Sequence, residues 1–259
     1  MNARLSQLFF PLRGLSCAAL LLFLSACASP GSQLDALLPA DALLLGEQHD
    51  AADHQRRHRA AIEYLAGAGT LAAVALEMAE QGDTTAGLPR DAGEIAVKNA
   101  LHWNEQGWPW SAYGPSVMAA VRAGVPVLGA NLPRTKMRAA MADAQFDMLL
   151  PGPALKAQQQ AIRQGHCGLL PETQIGPMTR IQVARDRAMA AVVAQAAVPG
   201  KTVLLLAGAG HVDTALGVPQ HLPTGLQVRS LAWPQQPQQK DYCEDMRRNM
   251  APAADAARP

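Results

Sequence analysis

Five short apolar runs punctuate the chain, at Ala42–Gly46, Ala72–Met78, Val125–Asn131, Thr202–Ala207 and Gln227–Trp233, each closed by a turn residue or a polar group. Runs this short, with little alternation, fit strands covered on both faces, as in a parallel sheet with helices on either side. The intervening segments read as helices. Residues 50–68 open on Asp50 and Asp53, acids suited to a helix N-terminus, and close near Gly67 and Gly69. Gly114-Pro115 leads into a short crossover helix over 116–123. Residues 132–201 show no strand pattern but three helix-like stretches, near 135–149, 153–165 and 177–197. A parallel crossover needs only about a dozen residues, so this one carries extra structure. The predicted class is α/β: a mostly parallel central sheet flanked by helices, with a helical subdomain inserted between strands three and four, in one domain spanning about 34–233. The polar tail, 234–259, predicts little structure.

Composition narrows the function classes. With 22 Lys+Arg against 21 Asp+Glu and no basic stripe, the electrostatic case for a nucleic-acid binder is missing. At the N-terminus, Arg4 and Arg13 precede an apolar run from Leu15 to Ala26 that ends in Leu24-Ser25-Ala26-Cys27. Such a run is too short to cross a bilayer core of about 30 Å and reads as a signal-peptide core. Its end looks like a bacterial lipoprotein signal: residues 1–26 would be removed, Cys27 acylated, and 27–33 would form a tether from an outer membrane into the periplasm. The mature chain loses Arg4 and Arg13, which takes its formal charge from +1 to −1. Of the four cysteines, only Cys167 and Cys243 then remain, an even pair in an oxidising compartment, and a disulfide is expected between them.

In open parallel sheets ligands bind beyond the carboxyl ends of the strands. Strand one runs into Gly46-Glu47-Gln48-His49, strand two carries Glu77, strand three ends on Asn131 with Arg134 just beyond, and strand four runs into Gly208-Ala209-Gly210-His211. Imidazole with carboxylate oxygen suits a divalent transition metal, or an acid–base pair, so Glu47, His49, Glu77 and His211 are candidate metal ligands or catalytic groups. By contrast His54 and His58, spaced i, i+4 among Arg56, Arg57 and Arg59, read as a solvated helix face. Residues 102–113 hold three of the four tryptophans, with His102, Trp110 and Tyr113 among them. In a chain that is only 4% aromatic, that concentration suggests a ligand wall.

Taken in order, Gly46-Glu47-x-His49, Leu76-Glu77-Met78, Tyr113-Gly114-Pro115, Ala130-Asn131-Leu132-Pro133-Arg134, His166-Cys167-Gly168 and Gly208-x-Gly210-His211 resemble the ChaN family of haem-binding lipoproteins, within the Tiki/TraB and erythromycin-esterase-like superfamily. The resemblance implies an outer-membrane lipoprotein that binds haem at a homodimer interface, in haem or iron acquisition. Family members are similar in placing a tyrosine on iron, which nominates Tyr113, with His102 and His166 in reserve and Trp110 beside them. An acid-then-Met pattern on a helix is also similar to Asp186-x-x-Met189, so Asp186 either orients His49 or His211 or pairs with Arg185 or Arg187 at the surface. The superfamily's hydrolytic branches imply the competing reading. In that reading Glu47, His49, Glu77 and His211 hold a divalent metal or activate water for peptide or ester hydrolysis, and Arg134 steadies an anionic group.

Overall fold

The computed structural model describes residues 30–238 and 240–250; the segment expected as a signal peptide, Cys27 and the last nine residues lie outside them. Five strands, β1 (Ala42–Glu47), β2 (Leu71–Glu80), β3 (Val127–Asn131), β4 (Thr202–Gly208) and β5 (Val228–Ala232), form one sheet in the order β3-β2-β4-β1-β5, with every pair parallel. The central strands are buried on both faces, which is why they lack alternation in sequence. Leu43, Leu45, Val74, Leu76, Leu204 and Leu206 enter one core, shared with α2 (Ala52–Gly67) and α4 (Trp110–Ala123). Ala42, Leu44, Ala75, Val203 and Leu205 enter a second core under the long helix α7 (Glu172–Ala196).

The chain also contains α1 (Pro30–Asp35), α3 (Glu94–Ala100), α5 (Arg134–Ala142), α6 (Gly152–Gly165) and α8 (Tyr242–Met250). Helices α5, α6 and α7, with a 3-10 turn at Ala144–Met148, fill the connection between β3 and β4. Only α5 and α6 stand outside the sheet layers, because α7 itself roofs β2, β3 and β4. The stretch expected as one helix to 149 breaks at Asp143, whose backbone is extended and whose carboxylate accepts the Gln145 N–H.

Three further expectations are corrected. Helix α4 begins six residues earlier than Ser116, with Pro115 inside it. Its ring removes one backbone bond, that to the Ser111 carbonyl, and the tryptophan cluster holds the extra turn. The segment read as a flexible tether is helical from Pro30, and Leu34 is buried against the first core. The tail forms α8, tied to the insertion by the Cys167–Cys243 disulfide.

At β2 the ladder to β3 slips: Leu76 pairs with Gly129 but Glu80 with Asn131, so four steps along β2 match two along β3. The bulge re-aims Glu77 toward the rim. It also drives the β2 backbone against β3, where a methyl group on Gly129 would lie 2.0 Å from the Glu80 carbonyl oxygen.

Candidate functional site

The parallel register brings the ends of β1, β4 and β2 side by side. Glu47 stands opposite Gly208, and the Glu77 carboxylate accepts the Gly208 N–H at 2.7 Å. Both Gly-x-x-His turns need their glycines for close approach. A methyl on Gly46 would lie 2.4 Å from Val212, and one on Gly208 would lie 2.9 Å from His49 Nε2. Two hydrogen-bonded groups result, meeting at Gly208.

In the first, Glu47 Oε1 accepts the Tyr113 hydroxyl at 2.6 Å and pairs with His49 Nδ1 at 2.8 Å, while His58 Nδ1 lies 3.2 Å from Oε2. Burial pushes the Glu47 carboxyl up, but the His49 and His58 imidazoles and the Tyr113 hydroxyl outweigh it and hold it at about 2. Burial, with the Glu47 charge beside it, drives the Tyr113 phenol far above its ordinary value. For His49 burial acts downward, but bonding to Glu47 and the field of Glu77 leave it raised.

The second group centres on His211, carried on the 3-10 turn Ala209–Val212 directly after β4. Its Nδ1 lies 2.6 Å from Asp186 Oδ1 and its Nε2 3.3 Å from Glu77 Oε1, with Gln182 alongside. Burial disfavours the imidazolium, yet Glu77 and Asp186 override it and raise His211 to about 10. Glu77 is strongly depressed: burial opposes ionisation, and His211, His49 and the Gly208 N–H win. Asp186 goes the other way, pushed up to about 6 by burial despite His211. Buried charges are tolerated only when paired and hydrogen-bonded, and this chain of carboxylate, imidazolium and carboxylate meets that condition.

Beside the array, beyond β2 and β3, lies an open cavity of about 480 Å³. Met78, Leu101, Trp108, Leu132 and Met137 give it apolar surface; Glu77, Glu80, Asp83, His102, Asn131, Arg134 and Arg185 give it polar groups. Trp108 joins the cavity to the array, since the His49 ring stands edge-on to it at 4.9 Å.

A family model described as haem-binding uptake, Tiki superfamily, ChaN matches residues 33–222. The chain belongs to the ChaN family. A solved structure described as cofacial haem binding to ChaN of Campylobacter jejuni is similar at 26% identity and a TM-score of 0.65, covering 78% of this chain and 84% of that one. Comparison with curated proteins gives no match.

In this ChaN-family chain the four rim residues named from sequence, Glu47, His49, Glu77 and His211, do come together, but as a hydrogen-bonded array. Among the described residues no group of three or more His, Cys, Asp or Glu side chains could hold a metal ion. Both His211 nitrogens face carboxylates, Asp186 on one side and Glu77 on the other.

The other named residues divide between cavity and core. His102 and Arg134 line the cavity. Tyr113 is buried with its hydroxyl given to Glu47, and Trp110 is buried with its Nε1–H donated to Glu94 at 2.9 Å. His166 Nδ1 bonds the Ile162 carbonyl at the end of α6, away from the cavity lining.

Asp186 is fully buried on His211, not paired at the surface. His54 and His58, expected on a solvated face, are each 1% exposed and pack on Trp233. The signal that finds them is spacing: positions 54, 58, 61, 62 and 65 form the buried stripe of α2, and the arginines sit between.

Proposed function

We propose that this protein binds haem in the cavity beyond β2 and β3, with His102 as the axial iron ligand, and that it serves haem or iron acquisition. Family membership supports haem as the ligand; the cavity is the observation that carries the site. Haem requires an apolar slot and an axial donor, and the lining residues supply both. When bound, haem would contribute an iron centre open to ligation.

His102 suits that role by its surroundings. Its Nδ1 is held by Asp83 at 2.8 Å, which places the proton there and leaves the Nε2 lone pair uncommitted, the arrangement usual for metal-ligating histidines. It also occupies the residue after the C-cap of α3 with φ of 42°, in a Schellman turn where Trp103 N–H reaches the Lys98 carbonyl and His102 N–H the Asn99 carbonyl. Glycine is the residue that stabilises this position, so a histidine there costs folding energy. His102→Gly is consequently a variant that removes the imidazole while relieving the backbone.

Hemin titration tests the reading. The wild type should give a shifted Soret band typical of histidine ligation, His102→Gly should lose that shift while folding at least as stably, and Tyr113→Phe should keep it. A Soret shift that survives His102→Gly and disappears in Tyr113→Phe would return the ligand to the tyrosine.

The same proposal includes a lipid anchor at Cys27 on the periplasmic face of an outer membrane, and a homodimer closing over haem. The small-small-Cys motif supports the anchor, and the cofacial arrangement named for the Campylobacter jejuni protein supports the dimer.

A further inference from the structure

We infer that the groove between α1, α2 and β5 seats a glycerophospholipid of the membrane that holds the chain, with its phosphodiester on Arg56 and Arg57; this rests on the lipid anchor at Cys27 and not on the haem reading. The groove is a cavity of about 280 Å³ at the β5 edge of the sheet, whereas the haem cavity lies at the other edge, beyond β2 and β3. Leu34, Ala60, Ala61, Leu231 and Trp233 give it apolar surface; Gln33, Asp53, Arg56 and Arg57 give it polar groups. Cavities that enclose a whole drug-sized ligand measure about 300–1,000 Å³. One just below that range takes part of a molecule and leaves the rest outside, as a lipid leaves its tails in the bilayer.

Charge selects the headgroup. Arg56 Nη2 donates to Asp53 Oδ1 at 3.0 Å and Arg57 Nε to Asp53 Oδ2 at 2.7 Å, and among the described residues neither guanidinium has a further hydrogen bond. Each keeps most of its N–H donors for a ligand, in a planar fork that matches phosphate oxygens in pairs. Two guanidiniums around one carboxylate leave a single positive charge, which one phosphodiester neutralises. The neighbouring acids are already engaged: Asp35 accepts the Tyr64 hydroxyl, and Glu63 pairs with Arg59 at 2.7 Å. Arg229, on the same face of β5 as Leu231, adds a cation with no carboxylate in ion-pair range among the described residues. Position selects the source. Cys27 stands three chain steps before Pro30, and Gln33 lies within the first turn of α1, so an acylated Cys27 is held within roughly 16 Å of the cavity lining. A leaflet that takes up those acyl chains brings its headgroup phosphates to this face.

The test titrates the Cys27→Ser chain, which carries no acyl groups, with dihexanoyl phosphatidylglycerol below its micelle concentration. Tryptophan fluorescence should change saturably, and Trp233→Phe should abolish the change. Charge-assisted bonds to phosphate imply that Arg56→Gln with Arg57→Gln weakens the lipid by about tenfold or more. Ala60→Phe, which fills the cavity, should do the same. Thermal unfolding of each variant separates lost contacts from lost fold, and hemin binding should be unchanged in the double arginine variant. Inorganic phosphate should not displace the lipid. The lipidated wild type, placed in vesicles of phosphatidylglycerol brominated along its acyl chains, should show quenching that is lost in Trp233→Phe.

Arginine-dependent lipid binding in a protein that incorporates no labelled palmitate would sustain the phospholipid site and overturn the anchor. Palmitate incorporation without lipid binding, or with binding indifferent to both arginines, would overturn this inference and leave the anchor standing. Displacement by inorganic phosphate would reduce the groove to a simple anion site and overturn the inference as well. So would a Cys27→Ser chain that binds the short lipid while Trp233 of the lipidated protein escapes quenching, since the groove would then hold the protein's own acyl chain.

Discussion

At the scale of single residues, the rim array converts sequence position into charge. Each carboxylate at a strand end has an imidazole one strand or one helix away, and the consequence is measurable as a pH dependence of stability. The folded-state pKa of His211 is raised from 6.5 to about 10, so its contribution is complete below pH 6.5 and is lost as pH rises through about 10. Glu47 has the opposite sign: lowered from 4.5 to about 2, it stabilises above pH 4.5 and ceases to do so as pH falls through about 2. Thermal unfolding followed from pH 7 to 10 should show a marked fall in midpoint for the wild type and a flatter profile for His211→Gln. Equal slopes for the two proteins would remove His211 from the account.

The rim residues were legible because strand ends in a parallel sheet are where polar groups gather, and two matching Gly-x-x-His turns mark neighbouring ends. His58 was not, because the arginines around it dominate a linear reading while the helix turns it inward. The commitment of Tyr113 to Glu47 joins residues 66 positions apart, and no local pattern encodes it.

At the scale of elements, the bulge in β2 is the device that places Glu77. It requires a residue without a side chain opposite, and Gly129 fills that place. Gly129→Ala would force β3 away from the Glu80 carbonyl, a shift that overpacking studies put at roughly 1–3 kcal/mol or more. Chemical denaturation should show that loss, and hemin affinity should fall with it because Asn131 ends the same strand and Arg134 opens α5 just beyond it.

The disulfide acts between elements. Cys167 occupies the residue after the C-cap of α6 with φ of 57°, and Cys243 lies 76 residues further along on α8. Closing a loop of that length constrains the unfolded chain by about 4 kcal/mol in the entropic model. Cys243→Ser, or reduction of the wild type, should lower the unfolding midpoint and open residues 234–250 to limited proteolysis. An unchanged digestion pattern would show that the tail is held by its other bonds alone, such as Gln236 N–H to Gln48 at 3.0 Å.

The strands could be read within a residue or two, most directly the central ones buried on both faces, where a continuous apolar run leaves little choice. Helix boundaries were less readable. The start of α4 depends on tryptophans packing across it, and the polar composition of the tail hides α8, although the cysteine count did give the Cys167–Cys243 disulfide that ties it down.

At the scale of the whole molecule, sheet order explains how a ligand site and a charge array come to share one end. The late strand β4 enters between β1 and β2, so residues near 47, 77 and 208 become neighbours although the chain separates them widely. That convergence was legible as an expectation about strand ends, while the order of the strands was not, since any of several orders satisfies the same pattern. The anchor belongs to this scale too. Wild-type protein should fractionate with membranes and incorporate labelled palmitate, and Cys27→Ser should appear in the soluble fraction. Membrane association that survives the substitution would remove the lipid from the proposal.

Helix α1 gives that anchor a geometric meaning. The described structure starts at Pro30 and Leu34 is already locked into the core, so two residues, three chain steps, separate an acylated Cys27 from the folded body. Extended chain spans at most about 3.6 Å per residue, which limits the gap to roughly 11 Å. Such a protein could not roam the periplasm on a leash; it would ride close to the lipid headgroups, able to pivot but not to reach. Any exchange of cargo would then take place near the membrane, with partners that come to it.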